Sequence, residues 1–171
     1  EPHIRKIYHG GVLYPNARHT RNPGKVLLKL FNLFLKKGGH FERQNVRSIS
    51  FRFDNKPIIK TDLNSYTFDK TVIACGAFSK KLTELMNEKI PLDTERGYHV
   101  HFKGHDHLLS RPVIFLNRGF GITPMEQGLR VVGTVEFGGL DNPLSNKRIL
   151  NLVTNAKYLF PELSEHYDEW L

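Results

Sequence analysis

The sequence predicts an α+β fold: a mixed, largely antiparallel sheet with helices, preceded by part of an α/β domain. Two observations predict it. Residues 1–90 contain one strongly amphipathic helical pattern and one continuously apolar strand that runs into a glycine. Residues 91–171 contain four short segments with strand periodicity and then one helical pattern. We therefore expect a βα-type domain piece at 1–90 and a sheet-plus-helix domain at 91–171.

The first helix is predicted over residues 23–37. Asn22 is a favoured N-cap residue, and Pro23 suits the first helical position. Lys36 and Lys37 fall in the last turn, and Gly38-Gly39 ends the pattern. The apolar residues between these ends recur at helical spacing and form one stripe: Val26, Leu27, Leu30, Phe31, Phe34 and Leu35.

Short strands are predicted next, at 40–43, 47–53 and 56–60, with Asp54-Asn55 as a turn. Residues 71–75 are continuously apolar, which is typical of a strand covered on both faces. Gly76 interrupts this run, and Ser79 is a suitable cap for a following helix. Ligands of open α/β sheets bind at such strand-to-helix corners. The plainer interpretation is that Gly76 only allows the chain to turn.

The pattern of residues 91–171 predicts an antiparallel sheet, with strands at 98–103, 113–116, 120–123 and 129–135. Glu126-Gln127-Gly128 has the composition of the turn between the last two. A helix is then predicted after Asn142 or Ser145 and ends before Pro161. Its core face is predicted to consist of Ile149, Leu152, Val153, Ala156 and Leu159.

Composition indicates an ordinary globular chain of 171 residues, with 39% hydrophobic and 25% charged residues. No apolar run approaches the ~20 residues that a membrane-spanning helix needs, and the first residues do not resemble a signal peptide. A net charge of +8 favours anionic partners such as nucleic acid, lipid headgroups or a charged cofactor. Because the basic residues are dispersed, we do not expect nucleic-acid binding. A start on Glu1, without Met, fits a piece of a longer protein.

Polar side chains that could bind a ligand or take part in catalysis lie at two predicted strands. Arg96, Tyr98 and His99 stand at the start of one strand, where a guanidinium can bind a carboxylate and a phenol or an imidazole can form a hydrogen bond to a ligand. Alternatively, Glu95 and Arg96 form a surface pair and Tyr98 packs in the core. At the end of another strand, Gly133 is followed by Thr134 and Glu136, a hydroxyl and a carboxylate.

No metal site is expected. His99, His101, His105 and His107 form an H-x-H-x3-H-x-H cluster, and alternation places the first two on one strand face. No cysteine or carboxylate at ligand spacing supports a metal there. The single Cys75 excludes an internal disulfide framework and a cysteine-based zinc cluster, and it fits a reducing compartment. In an apolar run, Cys75 is expected to act as a small hydrophobe rather than a nucleophile.

Two phosphate-binding motifs are absent from the 171 residues. There is no G-x-x-x-x-G-K-[ST] loop and no G-x-G-x-x-G that opens a helix. Gly119-Phe120-Gly121 supplies two of the required glycines, but they precede a predicted strand. Nor is there a Ser/His/Asp arrangement typical of a hydrolase.

Several segments, in order along nearly the whole chain, resemble one family. They are Gly10–Pro15 with His19 and Asn22-Pro23, then Val46 and Ile49, Val72–Ser79, Pro91–His99 and Thr123–Leu140. Together they resemble the D-amino-acid dehydrogenase small-subunit group of the FAD-dependent D-amino-acid oxidase and glycine oxidase superfamily. The most specific matches are the segments 91–99 and 123–140.

This resemblance implies a FAD-binding domain and a substrate domain whose sheet roofs the flavin. It implies that a D-amino acid is oxidised to an imino acid by hydride transfer to the flavin. Water then converts the imino acid to a 2-oxo acid. It assigns flavin-side positions to Val46, Cys75, Gly76 and Ala77. It makes Arg96, Tyr98, His99, Thr134 and Glu136 substrate-binding candidates. No catalytic residue is assigned.

The chain departs from the family pattern in Cys75, where alanine is commoner, and in Phe78, where tryptophan is commoner. The family's N-terminal G-x-G-x-x-G turn, and the glycine-rich segment that would follow Leu171, are not in this sequence. Since the pyrophosphate site is the main anchor of the cofactor, we expect the isolated chain to hold FAD weakly or not at all and to be inactive.

The expected partners are a small amino-acid substrate and an electron acceptor, either oxygen or a membrane quinone. The expected location is cytoplasmic, with possible peripheral association at the inner face of the cell membrane. Two alternatives stay open: the same chemistry on glycine, sarcosine or a 2-hydroxy acid, and a basic non-enzymatic module that binds nucleic acid or anionic surfaces.

Overall fold

The computed structural model describes residues 1–170. Leu171, the last residue of the predicted second domain, lies outside the described residues. Three α-helices and eight strands follow one another along this part of the chain: α1 (Pro23–Lys36), β1 (Val46–Phe51), β2 (Pro57–Thr61), β3 (Ser65–Thr67), α2 (Ser79–Glu84), β4 (Arg96–Lys103), β5 (Val113–Phe115), β6 (Phe120–Met125), β7 (Gly128–Glu136), α3 (Asn146–Leu159) and β8 (Asp168–Trp170).

The chain divides into two compact units. One is Asn32–Thr94, and the other combines Glu1–Phe31 with the described part of Glu95–Leu171. The predicted functional division between residues 90 and 91 stays a prediction. In the described residues, no helix has the length and apolar character needed to cross a bilayer.

The larger unit contains a five-stranded antiparallel sheet in the order β5-β6-β7-β4-β8. Helix α3 packs against β4 and β7, and its buried residues join the core of the sheet. All five residues predicted to form its core face are buried, and Ser145 is its N-cap. The predicted α+β class, with its largely antiparallel sheet, is confirmed.

The two faces of this sheet differ. Along β4, Tyr98, Val100 and Phe102 are buried, while the intervening His99 and His101 are half-buried. The buried set packs with the core residues of α3. We call the side that carries Tyr98, Val100 and Phe102 the helix face, and the side that carries His99 and His101 the histidine face. All four predicted strands of this sheet are present with boundaries shifted by up to two residues, whereas β8 was not predicted.

A glycine makes the β6–β7 hairpin possible. Gly128 has φ 143° at the first residue of β7, opposite Lys103. A Cβ on Gly128 would lie 2.2 Å from the carbonyl oxygen of Phe102. No other residue fits this turn without a shift of the backbone.

The smaller unit contains an antiparallel sheet in the order β1-β2-β3. Two predicted strands are confirmed here, but the predictions at 40–43 and 71–75 are wrong, because neither segment forms a strand. Residues 71–75 are largely exposed, and Val72 is 86% accessible. An apolar run becomes a strand only when a neighbour completes its hydrogen-bond ladder, and no described strand pairs with this one.

Helix α1 confirms the predicted segment 23–37 to within one residue. The side-chain Oδ1 of Asn22 accepts a hydrogen bond from the amide of Lys25 at 2.9 Å, as an N-cap does. None of the residues of α1 is buried. Its local sequence signals therefore define the helix without burial of its apolar stripe.

Candidate functional site

A bulge interrupts the pairing of β4 with β7 at Thr134. Gly97 pairs with Val135 and Tyr98 pairs with Gly133, so Thr134 has no partner in the register. Its φ is 60°, a conformation that is strained for a β-branched residue. Its Oγ1 is buried, and it makes no hydrogen bond to the described residues. Bulges and strained backbone are concentrated at functional sites, so the geometry keeps Thr134 as a candidate.

The neighbouring Gly133 has a packing role. A Cβ on Gly133 would lie 2.7 Å from the Cβ of Phe120 and 2.9 Å from the carbonyl oxygen of Gly119. The close approach of β6 therefore requires glycine at this position. The space beside Gly133 is occupied by the protein's own chain rather than open to a ligand.

Arg96 holds a segment of backbone. Its guanidinium donates to four main-chain carbonyl oxygens at 2.8 to 3.3 Å, those of Gly139, Leu140, Asn142 and Pro143. The Glu136 carboxylate lies 3.6 Å from Nη1 of Arg96. Most donors of this guanidinium are thus committed to the segment 139–143 in this structure.

Tyr98 and Glu136 link the sheet to α3. The side chain of Tyr98 is almost fully buried, at 2% exposure. Its hydroxyl donates to the carboxylate of Glu136 and accepts from the amide of Ser145 at 3.0 Å. Nε of Arg148 lies 3.8 Å from the same carboxylate. One hydrogen-bond network on the helix face therefore joins β4, β7 and the start of α3.

The histidine face carries a different cluster. The rings of His99 and His101 lie 5.4 Å apart between their centroids. Arg130 of β7 pairs with His101 in the register, and its Nη2 lies 3.4 Å from Nδ1 of His99. Arg130 alternates with Leu129 and Val131, which are buried on the helix face. A guanidinium and two imidazoles are thus neighbours on one face of the sheet.

Both imidazoles favour the neutral form. Burial, and then the positive charge of Arg130, lower the pKa of His99 from 6.5 to about 4. Burial and Arg130 also lower the pKa of His101, against an opposing effect of Asp168. Asp168 is itself paired with Nζ of Lys103 at 2.7 Å. Near neutral pH, Arg130 therefore carries the charge of this cluster.

The other two histidines of the cluster bond locally. Nδ1 of His105 lies 2.7 Å from the carbonyl oxygen of Lys103, and Nδ1 of His107 lies 3.1 Å from that of Gly104. Within the part of the chain that the structure describes, no three His, Cys, Asp or Glu side chains are placed to hold a metal ion.

The flavin-side candidate Val46 begins β1 in the smaller unit. Val46 is half-buried, and the pairing of β1 with β2 is irregular between Val46 and Ser48. The three residues that precede it help to line an open depression of about 500 Å³, together with Asp62 and Leu63. The start of β1 therefore borders a concave surface.

The other flavin-side candidates form an exposed corner. Cys75 is exposed, and a 3-10 turn over Gly76–Phe78 leads into α2. The amide of Cys75 donates to Oγ of Ser79 at 3.1 Å. Gly76 has φ 54°, and a Cβ built there would meet no atom within 4 Å. The space beside Gly76 is therefore open for close approach of a ligand to the backbone.

The substrate-side candidates do not form a single cluster. Arg96, Tyr98 and Glu136 meet in the network of the helix face, whereas His99 lies on the histidine face and Thr134 in the bulge. Sequence reasoning missed Arg130. The period-two alternation of β7, which places Arg130 between buried Leu129 and Val131 and level with His101, is a signal that could have identified it.

Comparison with protein families gives a match over the whole chain. Residues 1–171 match the family model described as DAO, FAD dependent oxidoreductase. A curated relative, the D-amino-acid oxidase of Bradyrhizobium diazoefficiens, is 29% identical over 163 residues, which is 95% of this chain and 39% of that protein. The chain thus spans about two fifths of the length of this relative.

Solved structures show the same fold. Glycine oxidase from Geobacillus kaustophilus matches with a TM-score of 0.60 and 19% identity, over 75% of this chain and 36% of that one. L-proline dehydrogenase from P. horikoshii matches with a TM-score of 0.64 and 14% identity, over 84% of this chain and 41% of that one. At these identities the similarity is one of fold.

Proposed function

The chain belongs to the DAO family of FAD-dependent oxidoreductases, and from that premise we propose that it is part of a D-amino-acid dehydrogenase-like flavoenzyme. The observation that carries the proposal is the full-length family match, supported by a D-amino-acid oxidase relative that aligns with 95% of the chain. The small-subunit dehydrogenase grouping rests on the segments 91–99 and 123–140.

In the proposed reaction, a D-amino acid loses a hydride from Cα and a proton from its amino group. The resulting imino acid reacts with water to give a 2-oxo acid and ammonia. Bound FAD supplies the two-electron acceptor. Electrons then pass to oxygen or to a quinone.

The residues of the smaller unit fit a flavin at two places. Val46, beside the open depression, and the corner Cys75, Gly76 and Ala77 would hold it. The open space at Gly76 supports this, because a cofactor could approach the backbone there without a clash. The 171 residues contain no G-x-G-x-x-G motif, so we propose that in isolation they bind FAD weakly and do not turn over substrate.

The substrate-side candidates divide by what they contact. Arg96, Tyr98 and Glu136 would shape one wall of the pocket, because their bonds fix the segment 139–145. His99 and Thr134 would offer polar atoms to the substrate. The hydroxyl of Thr134 supports this role, since it is buried and makes no hydrogen bond to the described residues.

The location proposed for the complete protein is the cytoplasm. Association with the inner face of the membrane would accompany a quinone acceptor, and the net charge of +8 is compatible with it. The division into a FAD-binding part at 1–90 and a substrate domain at 91–171 is part of the same proposal.

The test uses the complete polypeptide that contains this chain. Its visible spectrum is recorded with added FAD, and D-amino acids are then added without oxygen, with the matching L-amino acids as the control. We expect a yellow protein that is bleached by D-amino acids and not by L-amino acids. Membrane vesicles that contain quinone, compared with dissolved oxygen, then identify the acceptor through the rate at which colour returns.

Other outcomes separate the alternatives. Bleaching only by glycine, sarcosine or a 2-hydroxy acid would replace the D-amino acid with that substrate class. A colourless protein that takes up no FAD would overturn the flavoenzyme proposal. Salt-dependent DNA binding by such a protein would then favour the basic binding module.

A further inference from the structure

Two guanidinium groups lie over one tyrosine ring in the last turn of α3. The guanidinium carbon of Arg5 is 4.6 Å from the ring centroid of Tyr158, and that of Arg118 is 4.2 Å from it. A cation is attracted to the face of a tyrosine ring, but the neutral ring does not compensate its charge. Tyr158 is 39% exposed. The larger unit therefore presents two positive charges together at its surface.

Neither guanidinium has a carboxylate partner among the described residues. Nη1 of Arg118 donates to Oδ1 of Asn155 at 2.9 Å, and its Nε makes no hydrogen bond to the described residues. The acidic residues that follow α3 are bonded elsewhere, because Glu162 contacts a histidine at 3.0 Å and Glu165 contacts a lysine at 2.5 Å. The charges of Arg5 and Arg118 are thus available to an anionic partner.

Contacts within the protein fix this surface before a partner binds. The backbone amide of Arg5 donates to the carbonyl oxygen of Leu159 at 2.9 Å, which holds the start of the chain against the end of α3. Tyr8 extends the same surface. Its hydroxyl donates to Oδ1 of Asn117 at 3.2 Å, and its ring lies 5.7 Å from that of Phe115. Side chains that are already held in place lose less conformational entropy on binding.

The composition of the surface is typical of a protein-binding site. Tyrosine and arginine are enriched among the residues that contribute most to the binding energy of protein interfaces. Leu116 is 89% exposed and adds apolar area two residues before Arg118. We call Arg5, Tyr8, Leu116, Arg118 and Tyr158 the double-arginine surface. None of these residues is among the flavin-side or substrate-side candidates.

We propose that the double-arginine surface binds an acidic segment of a protein partner. The two guanidiniums receive Asp or Glu carboxylates, whose two oxygens match the planar fork of N–H donors. The tyrosine rings and Leu116 pack against apolar groups of the same segment. The net charge of +8 attracts an acidic partner at long range. This binding goes beyond the proposed oxidoreductase reaction and does not depend on it.

The experiment measures the binding of an acidic peptide to the complete polypeptide that contains this chain. The probe is the blocked peptide Glu-Glu-Leu-Glu-Glu with an uncharged dye, and Gln-Gln-Leu-Gln-Gln is the matched neutral probe. Fluorescence anisotropy follows the titration at physiological ionic strength, where long-range charge effects are screened. We expect saturation by the acidic peptide with a Kd on the order of 100 μM, and no saturation by the neutral peptide.

Variants locate the binding on the double-arginine surface. R5Q and R118Q should each weaken it about tenfold, as the loss of a central interface residue does. R5Q keeps the backbone bond of residue 5, so it should change the melting temperature little even if R118Q is destabilised. Arg52 is the matched control, because its guanidinium also lies over a ring, that of Phe53 at 5.3 Å, but its Nε is 3.3 Å from the carboxylate of Asp54. R52Q, with the same charge change, should leave binding unchanged.

Three results would overturn the proposal. They are an equal loss of binding in R52Q and R118Q, binding that persists in both R5Q and R118Q, and no saturation of the complete polypeptide. Vesicles of equal parts phosphatidylglycerol and phosphatidylcholine distinguish a protein partner from a membrane. Sedimentation with these vesicles that is lost in R5Q and R118Q, without peptide binding, would replace the acidic segment with an anionic lipid surface. The readout needs no flavin, so failure of the proposed function leaves it unaffected.

Discussion

The polar groups on the two faces of the five-stranded sheet differ in how many hydrogen-bond partners they have. On the helix face, the hydroxyl of Tyr98 donates to Glu136 and accepts from the amide of Ser145, and Arg96 donates to four carbonyls. On the histidine face, Arg130 has a single polar contact among the described residues, and both imidazoles are neutral. The same strands β4 and β7 supply both sets.

This difference separates polar groups that fix the backbone from polar groups that do not. A satisfied network fixes the backbone, because each polar group that it buries has a partner. A guanidinium with a single polar contact, such as that of Arg130, fixes little of the backbone around it. Residues of the two kinds alternate along a strand, so substitutions at adjacent positions should have different effects.

The largest effect is expected from neighbouring residues on β4. Phe102 is fully buried in the core of the helix face, and F102A should lower the free energy of unfolding by about 3–5 kcal/mol, because it removes packing and leaves a cavity. H101A on the other face should cost less than about 1 kcal/mol. Urea unfolding of the two variants measures both values. Equal losses would contradict the assignment of the faces.

An intermediate effect is expected from Y98F. The ring stays packed, but the amide of Ser145 and the carboxylate of Glu136 lose a buried partner, so the free energy of unfolding should fall by about 1–3 kcal/mol. The matched control is Y158F, which deletes a hydroxyl with no hydrogen bond to the described residues and should change stability by less than about 0.5 kcal/mol. Thermal unfolding compares the two. If Y98F were as stable as Y158F, the hydrogen bonds of the Tyr98 hydroxyl would not stabilise the helix face.

The smallest effect is a pH dependence on the histidine face. Because burial and then Arg130 lower the pKa of His99 to about 4, the folded chain binds fewer protons than the unfolded chain between about pH 4 and 6.5. The contribution of neutral His99 to the free energy of unfolding is therefore fully present above pH 6.5 and is lost as the pH falls toward 4. Allowing for solvent screening of this half-exposed ring, the contribution is about 1 kcal/mol.

NMR titration of the His99 ring measures this pKa directly. The R130Q variant removes the second cause and should raise the pKa, although burial should still keep it below 6.5. A ring that titrates near 6.5 in the unmodified chain would mean that the histidine face is more solvated than its geometry indicates.

Local sequence signals predicted most elements. The Asn22-Pro23 start of α1, the apolar spacing of α3 and the glycine turn at Gly128 each act over a few residues, and all three are present. The predicted strand at 71–75 failed because pairing is a non-local property. The family resemblance correctly indicated the FAD-dependent oxidoreductase family, whereas the roles of the individual site residues stay predictions.

By itself the sequence determined the α+β class, four of the five strands of the larger sheet and the family, because periodicity, turn chemistry and motif order are local or cumulative properties of the chain. Only the tertiary structure decided which polar groups bond one another. The bulge at Thr134, the four carbonyl partners of Arg96 and the meeting of Arg130 with His99 depend on how strands distant in sequence pair. A side chain's partners are set by that register, and a shift of one residue would place each of these groups on the other face.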